Sequence, residues 1–216
     1  MRRAAHEAQI FNRSGLPCEL RIGGCSVSLS AMSKHTPAPC VFFDRDGIVN
    51  HPPDDAMRYV LHEDQFHLLP GFIESLRLVL ARGYKAVIVT NQSGVARGRM
   101  SDADLARIHA KLDRLLEAEG VAVHDILVCT SLDDAHTHRK PNPGMLLEAA
   151  ERHQLDLARS WMIGDQEKDV QAGRRAGVHK TVKVKPLHTK TDADYRVDTM
   201  ADLPALLERV LPAVAH

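Results

Sequence analysis

Two aspartates stand two residues apart directly after a short apolar run. The run covers residues 40–43, and Asp44-Arg45-Asp46-Gly47 follows it. In an extended chain residues i and i+2 point the same way, so Asp44 and Asp46 are expected to present their carboxylates to one spot while Arg45 faces elsewhere. Paired carboxylates suit a divalent cation, or a nucleophile beside a proton carrier. The glycine spacing does not fit a calcium-binding loop, and a plain acidic turn is the alternative for this motif alone.

A second polar cluster ends another apolar run, at residues 85–90. It combines hydroxyl and amide side chains with a glycine: Thr90, Asn91, Gln92, Ser93 and Gly94. Such donors, together with backbone N–H groups that the glycine brings close, can hold phosphate oxygens. Arg97 offers a bidentate anion ligand three residues later. The alternative for this cluster alone is a polar turn without a ligand.

Two further segments place charged side chains after apolar runs. Arg139 and Lys140 precede a proline, and Asp165 is followed four residues later by Asp169. Taken singly, Lys140 is typical of a solvated surface lysine, and a helix-capping role would explain one of the aspartates. Taken in chain order, the four segments supply carboxylates, donors, a lysine and a further metal-binding carboxylate, which are the parts of a phosphoryl-transfer site.

The elements that must position these side chains alternate between strand and helix patterns. Apolar runs predict five strands, over residues 40–43, 85–90, 126–128, 161–163 and 180–184. Apolar residues at three- and four-residue spacing predict helices after Gly71, after the N-cap Ser101, from Pro143 as first residue, from about Glu167 to Gly177, and over residues 203–210. This alternation predicts an α/β fold, a doubly wound parallel sheet with helices on both faces. Such sheets bind ligands at the carboxyl ends of their strands.

Composition narrows the class of protein. The 216 residues carry 28 Lys plus Arg and 28 Asp plus Glu, a balance that argues against a nucleic acid or an anionic membrane surface as partner. No stretch approaches the roughly 18 uninterrupted apolar residues of a membrane helix. Four widely spaced cysteines favour reduced thiols. We therefore expect a cytoplasmic protein that acts as a monomer.

Together, the four segments resemble the motifs of the haloacid-dehalogenase-like phosphohydrolases. The matches, in chain order over about residues 40–185, are Asp44-x-Asp46, Thr90-Asn91, Lys140 and Gly164-Asp165-x-x-x-Asp169. Within that superfamily the surrounding runs are similar to the D-glycero-D-manno-heptose-1,7-bisphosphate phosphatases, and less closely to the related histidinol-phosphate phosphatases. The resemblance implies a Rossmann-like fold with little or no cap domain.

The resemblance also implies a chemistry: Mg²⁺-dependent hydrolysis of a small sugar-phosphate monoester through an aspartyl-phosphate, with heptose 1,7-bisphosphate cleaved at C7 as the preferred substrate. Asp44 would attack phosphorus, and Asp46 would protonate the leaving oxygen and then activate water. Asp44, the backbone carbonyl of Asp46 and Asp165 would hold Mg²⁺. The expected substrate contacts are Arg58, Tyr59, Thr90, Asn91, Gln92, Ser93, Arg97, Arg139 and Lys140. Alternatives are a histidinol-phosphate or other small phosphate-ester phosphatase, and a catalytically silent phospho-ligand binder.

The sequence departs from the family pattern at two places. Zinc-binding relatives carry a Cys-x-His and Cys-x-Cys set before the Arg-Lys-Pro turn, whereas this chain keeps Cys129 but has Ser131, followed by His136 and His138. We expect no zinc, with a site built from Cys129, His136 and His138 as the alternative. Gln166 replaces a lysine that the heptose enzymes often carry, which puts the binding of a second phosphate in doubt.

The chain before the first strand lacks a periodic apolar face. Residues 1–38 are expected to be an N-terminal extension without fixed structure, and residues 39–216 to be the phosphatase domain. Residues 1–31 are predicted to be dispensable, as would follow from an over-long start assignment ahead of Met32. A marginal strand over residues 18–29 and an organelle transit peptide are the alternatives.

Overall fold

The strands form from short apolar runs that are buried on both faces. The computed structural model describes residues 36–52, 59–185 and 190–214. Its strands are β1 (Cys40–Phe43), β2 (Lys85–Asn91), β3 (Asp125–Cys129), β4 (Trp161–Gly164), β5 (Lys180–Val184) and β6 (Tyr195–Val197). They make one parallel sheet in the order β3-β2-β1-β4-β5-β6. The chain thus winds outward from β1 in one direction and, after returning to β4, outward in the other.

Helices cover both faces of the sheet. They are α1 (Phe72–Ala81), α2 (Asp102–Ala118), α3 (Gly144–His153), α4 (Glu167–Ala176) and α5 (Leu203–Val210). In β1, Val41 and Phe43 pack with α1, α2 and α5, while Cys40 and Phe42 pack with α3 and α4. Successive strand residues point to opposite faces, so one short strand serves both cores. The predicted doubly wound sheet is confirmed.

The connections between these elements vary in length, and the longest are residues 44–71, between β1 and α1, and residues 130–143, between β3 and α3. In the part of the chain that the structure describes they hold only three-residue 3-10 turns, such as Glu63–Gln65, and no cap domain. Because β1 and β4 are neighbours, the direction of winding reverses between them. A crevice opens at such a reversal, at the carboxyl ends of the strands.

Two features of the elements differ from the sequence prediction, and two confirm it. Strand β6 was not predicted, and it is a three-residue edge strand. Pro143 is the N-cap of α3 rather than its first residue, so that prediction is wrong by one position. Ser101 caps α2 as predicted, since its hydroxyl accepts from the Asp104 N–H at 3.1 Å. Gly177 ends α4 at φ +83°, as a C-terminal glycine does.

The predicted N-terminal extension, residues 1–38, falls almost entirely outside the described residues. Of its last three residues, Ala38 pairs with Leu155 in an isolated bridge. The boundary at residue 39 therefore stays a prediction. Among the residues described, no helix has the length and apolar character needed to span a bilayer.

Candidate active site

Lys140 stands at the centre of a buried ionic cluster. Its Nζ donates to Asp44 Oδ1 at 2.7 Å and to the Val89 carbonyl at 2.8 Å, and it lies 2.7 Å from Asp169 Oδ1. Asp44 directly follows β1, Lys140 lies in the β3–α3 loop, and Asp169 is in the first turn of α4. Asp165, directly after β4, completes the group. The cluster thus holds three carboxylates against one fully buried ammonium.

The proton affinities in this cluster follow from burial and the imbalance of charge. Burial alone would lower the pKa of Lys140, but the carboxylates of Asp169 and Asp44 outweigh it and raise that pKa, so the lysine stays charged. Burial, followed by repulsion from Asp169, raises the pKa of Asp44 to about 7, although Lys140 opposes the rise. The pKa of Asp165 is raised for the same two reasons. Negative charge is therefore in excess here.

The excess negative charge fits a divalent cation. Asp44, Asp165 and Asp169 each offer an oxygen, and these oxygens lie within 4.8 Å of one another. Among the described residues, Asp165 Oδ1 is buried without a hydrogen-bond partner. Carboxylate oxygens are the ligands that Mg²⁺ takes in proteins. The predicted ligands Asp44 and Asp165 thus meet, and Asp169, which the sequence also allowed as a helix cap, both caps α4 and joins them.

The expectation that Arg45 faces elsewhere is wrong. Arg45 is fully buried, and its Nη2 donates to both carboxylate oxygens of Asp46 at 3.0 Å. The chain turns immediately after Asp44, because the N–H groups of Val49 and Asn50 both donate to the Arg45 carbonyl and Gly47 adopts φ +87°. The i, i+2 rule of extended chains therefore fails for Arg45 at this turn, although Asp44 and Asp46 line the same cavity.

Asp46 is held by donors from three side chains. Besides Arg45, Asn50 Nδ2 donates to Oδ1 at 2.9 Å and Gln92 Nε2 donates to Oδ2 at 2.8 Å. Burial raises the pKa of Asp46, but the Arg45 charge and the two amide donors outweigh it and lower that pKa. The side chain of Asp46 is thus separated from the cluster around Lys140 by its own set of partners.

The polar side chains at the end of β2 and directly after it make different contacts. Gln92 Nε2 also donates to Thr90 Oγ1 at 2.8 Å, so this amide links Thr90 to Asp46. Asn91 exchanges two hydrogen bonds of 3.0 Å with the backbone of Lys140 and so fixes the loop that carries the lysine. Ser93 Oγ lies 3.3 Å from the Tyr59 hydroxyl.

A cavity of about 610 Å³ opens over the cluster. Its lining residues are Asp44, Asp46, Pro52, Tyr59, Thr90, Asn91, Ser93, Arg139, Asp165, Gln166, Lys168 and Lys185. Seven predicted substrate or catalytic residues outside the metal group thus meet: Asp46, Tyr59, Thr90, Asn91, Ser93 and Arg139 at the wall, and Lys140 beneath it. Gln92 is buried behind the wall, Arg97 is exposed away from the lining, and Arg58 lies outside the described residues.

Lys168 and Lys185 line the cavity although the sequence analysis did not select them. Lys185 Nζ lies 3.2 Å from Asp165 Oδ2. Its position directly after β5 was an available signal, because the carboxyl ends of parallel strands share one edge of the sheet. Together with Arg139, these lysines give the mouth of the cavity three cations.

Comparison with known proteins identifies the family. A family profile described as HAD-hydrolase-like matches residues 137–202. The D-glycero-β-D-manno-heptose-1,7-bisphosphate 7-phosphatase of Pasteurella multocida is 37% identical over 180 residues, which cover 78% of this chain and 96% of the relative. The enzyme of that name from Escherichia coli K12 is 34% identical over 191 residues, covering 82% and 97%. The chain belongs to this phosphatase family.

Solved structures agree with that membership. The D,D-heptose 1,7-bisphosphate phosphatase of B. bronchiseptica, solved with magnesium and phosphate, superposes with a TM-score of 0.70 at 31% identity and covers 79% of this chain and 98% of its own. A HAD-like phosphatase from Mesorhizobium loti gives a TM-score of 0.68 at 33% identity, covering 87% and 91%. As a member of this haloacid-dehalogenase-like phosphatase family, the chain is a phosphoric monoester hydrolase.

The end of β3 and the loop after it, which hold the candidate zinc ligands Cys129, His136 and His138, make hydrogen bonds of their own. Cys129 Sγ lies 3.7 Å from His136 Nδ1, and the His138 N–H donates to the same nitrogen at 3.2 Å. His138 Nε2 pairs with Glu148 Oε2 at 2.7 Å. The expectation that this loop takes no zinc stays a prediction.

Proposed function

We propose that this chain is a Mg²⁺-dependent phosphatase that removes the C7 phosphate of D-glycero-β-D-manno-heptose 1,7-bisphosphate. The observation that carries the proposal is the buried contact between Asp44 Oδ1 and Lys140 Nζ beside Asp165, at the floor of an open cavity. The names of relatives at 34–37% identity support the choice of sugar and anomer. A cytoplasmic location and a monomeric state are further parts of this proposal.

In the proposed reaction Asp44 is the nucleophile. Lys140 and the Arg45 backbone N–H both donate to Oδ1, so among the described residues the other oxygen, Oδ2, is left for attack on phosphorus. Lys140 holds the nucleophile in place and offsets charge on the transferring phosphoryl group. The carboxylates of Asp44, Asp165 and Asp169, together with the backbone carbonyl of Asp46, would hold Mg²⁺, which supplies electrostatic stabilisation of that group.

Asp46 is proposed to carry the proton. Its carboxylate lines the same cavity as Asp44, so it can reach the leaving oxygen and, later, the attacking water. Spontaneous hydrolysis of phosphate monoesters is so slow that enzymes accelerate it by up to about 10²¹-fold. To accelerate hydrolysis to that degree, the site must combine a nucleophile, a proton carrier and positive charges that stabilise the transferring phosphoryl group.

The cations at the cavity mouth favour a substrate with a second phosphate. Gln166 brings no charge to the lining, but Arg139, Lys168 and Lys185 do. Arg139 is already oriented, since its Nε donates to Asp134 Oδ1 at 2.8 Å and its Nη1 to the Ser131 carbonyl at 2.9 Å. We propose that these cations bind the phosphate that is not cleaved.

Phosphate release from heptose 1,7-bisphosphate, histidinol phosphate, a nucleic-acid 3′-phosphate and simple sugar monophosphates tests the proposal. The bisphosphate is expected to give the highest kcat/KM, with activity lost in EDTA and restored by Mg²⁺. Asp44→Asn is expected to abolish turnover, whereas the exposed Asp113→Asn on α2 serves as the matched control. Retention of a tenth of activity in Asp44→Asn would refute the covalent mechanism. A higher kcat/KM for histidinol phosphate would show that histidinol phosphate, not the heptose bisphosphate, is the preferred substrate. Absence of turnover with every ester would favour a catalytically silent phospho-ligand binder.

A further inference from the structure

Arg45 is a buried charge that the proposed reaction does not use. It has no exposed surface, although arginine is almost never fully buried without a partner. Its guanidinium meets the Asp46 carboxylate through Nη2 at 3.0 Å to each oxygen and through Nε at 3.3 Å to Oδ1. Burying such a pair costs solvation free energy that the pair only partly repays. A role beyond stability would explain its presence one residue after the nucleophile.

The other side of the guanidinium is also fixed. Arg45 Nη1 lies 3.4 Å from His109 Nε2 on α2, and since arginine only donates, this nitrogen is the acceptor. Burial, followed by the Arg45 charge, lowers the pKa of His109 to about 4, so the imidazole is neutral and able to accept at neutral pH. The guanidinium is therefore held between the sheet edge and α2 and cannot swing with the Asp46 side chain.

This fixed guanidinium determines where the Asp46 carboxylate points. Gln92 is buried and reaches the same carboxylate at 2.8 Å, so donors that directly follow β1 and β2 converge on it. The Asp46 side chain nevertheless keeps 26% of its surface exposed, on the side that lines the cavity. The donors to Asp44 are Lys140 Nζ and the Arg45 backbone N–H, which a substitution of the Arg45 side chain retains.

We propose that Arg45 is a positioning residue for proton transfer by Asp46, assisted by Gln92. The inference rests on the proposed function, in which Asp46 protonates the leaving oxygen. Catalytic groups must be held close to their productive geometry, and misplacement by about 1 Å can cost about 10²-fold in rate. The side chains of Arg45 and Gln92 hold the Asp46 carboxylate in place, whereas the Lys140 side chain holds the nucleophile Asp44.

Two aryl phosphates separate proton transfer from attack. The phenol that leaves phenyl phosphate has a pKa of about 10, as tyrosine has, and needs protonation as it departs. The phenol that leaves 4-nitrophenyl phosphate is far more acidic and needs little protonation as it departs. The measured quantity is kcat/KM, which covers the steps up to loss of the phenol and excludes hydrolysis of the aspartyl-phosphate.

For Arg45→Met and Gln92→Leu we expect kcat/KM to fall by about 10–100-fold with phenyl phosphate and by less than about threefold with 4-nitrophenyl phosphate. Arg45→Lys keeps the charge but presents no planar fork, so it is expected to lie between Arg45→Met and wild type. The exposed Arg77→Met is the matched control, with both esters turned over as in wild type. Should Arg45→Met not fold, Gln92→Leu keeps the buried charge pair and carries the test.

The Asp46→Asn background gives the second readout. If Arg45 acts through Asp46, adding Arg45→Met to Asp46→Asn lowers kcat/KM for phenyl phosphate no further, whereas a merely structural role multiplies the two losses. Equal losses with both esters, or multiplied losses in the double variant, would overturn the inference and leave the proposed function standing. Wild-type protein inactive on both aryl esters and on heptose 1,7-bisphosphate would overturn the proposed function and this inference with it, whereas activity on the bisphosphate alone would overturn only the inference.

Discussion

At the scale of single residues, Lys140 is the buried positive charge that contacts both Asp44 and Asp169. Lys140→Met is expected to lower kcat/KM by about 10²–10³-fold, because a preorganised charge at the transferring phosphoryl group is lost. The melting temperature should fall as well, since the carboxylates of Asp44 and Asp169 then repel without compensation, and Mg²⁺ should restore part of it. Lys180→Met, which removes a surface lysine 3.2 Å from Asp194, is the matched control. Wild-type turnover in Lys140→Met would contradict the proposed site.

The raised pKa of Asp44 predicts a pH-dependent stability difference in chelated protein. A carboxyl whose pKa is higher in the folded state than in the unfolded state favours the fold when protonated, and that contribution is lost as pH rises through about 7. In EDTA, Asp44→Asn should therefore be more stable than wild type at pH 8, with the gap narrowing towards pH 6 by about 2–4 °C in melting temperature.

Comparison of the two proteins cancels the titration of His109, whose lowered pKa destabilises both as pH falls. Mg²⁺ should reverse the order at pH 8, since a ligand that binds the folded carboxylates stabilises wild type more than the amide variant. If the difference in melting temperature between wild type and Asp44→Asn stays constant from pH 8 to pH 6, Asp44 is ionised throughout that range.

The sequence allowed the site residues to be chosen by their chemistry, but it did not predict the directions of their side chains. Asp44, Lys140 and Asp165 could be selected because each follows an apolar run and the three ends meet at one sheet edge. The inward position of Arg45 could not, because it depends on a turn stabilised by hydrogen bonds to its own carbonyl. Likewise, no sequence pattern indicates that the Asn91 amide spans to the backbone of Lys140. Such partners are brought together by tertiary structure alone.

At the scale of elements, the end of β4 passes unusually close to α4. A Cβ built on Gly164 would lie 2.2 Å from the Asp169 Cβ, so Gly164→Ala must push α4 and its carboxylate away from Lys140. Overpacking of this kind costs about 1–3 kcal/mol, which lowers the melting temperature by about 3–10 °C. Turnover should fall by about tenfold or more, because the carboxylate is displaced from its place beside the lysine.

Gly120→Ala is the control for this change. Gly120 has φ +66° and open space around it, so alanine strains only the backbone and leaves turnover unaltered. Differential scanning calorimetry and steady-state kinetics on both variants make the comparison. Equal effects of the two substitutions on kcat would show that the close approach at Gly164 has no influence on the site.

The loop after β3 is predicted to fold without zinc. Tetrahedral structural sites use four protein ligands, whereas Ser131 stands where a fourth residue would be needed and His138 is already paired with Glu148. Elemental analysis of protein purified without chelators should find no stoichiometric zinc. Near-stoichiometric zinc that disappears in Cys129→Ser would show that His136 and His138 had joined Cys129 in a metal site.

Long, periodic elements were predictable and short edge elements were not. Helix α2 carries Leu105, Ile108 and Leu112 at regular spacing behind a serine N-cap, so its existence and start followed from the sequence. Strand β6 has only three residues, half-buried or exposed, and it pairs on one side. Its position is set by pairing with β5 rather than by any pattern of its own.

At the scale of the whole molecule, residues 1–31 are predicted to be dispensable. The described sheet and its two apolar cores are built from residue 36 onward. Deleting residues 1–31 should therefore leave melting temperature and kcat within error of the full chain. A large loss of either would mean that the segment contributes a strand or another essential contact.

The reversal of winding between β1 and β4 also affects when the active site forms during synthesis on the ribosome. Asp44 and Lys140 are 96 residues apart, so at about 5–20 residues per second the nucleophile is synthesised about 5–20 s before its lysine. During that interval the growing chain holds the donors of β1 and β2 but none of the cations or metal carboxylates that follow β3. We therefore expect hydrolysis of phosphate esters to begin only once β4 has inserted beside β1, because the carboxylates of Asp165 and Asp169 directly follow that strand.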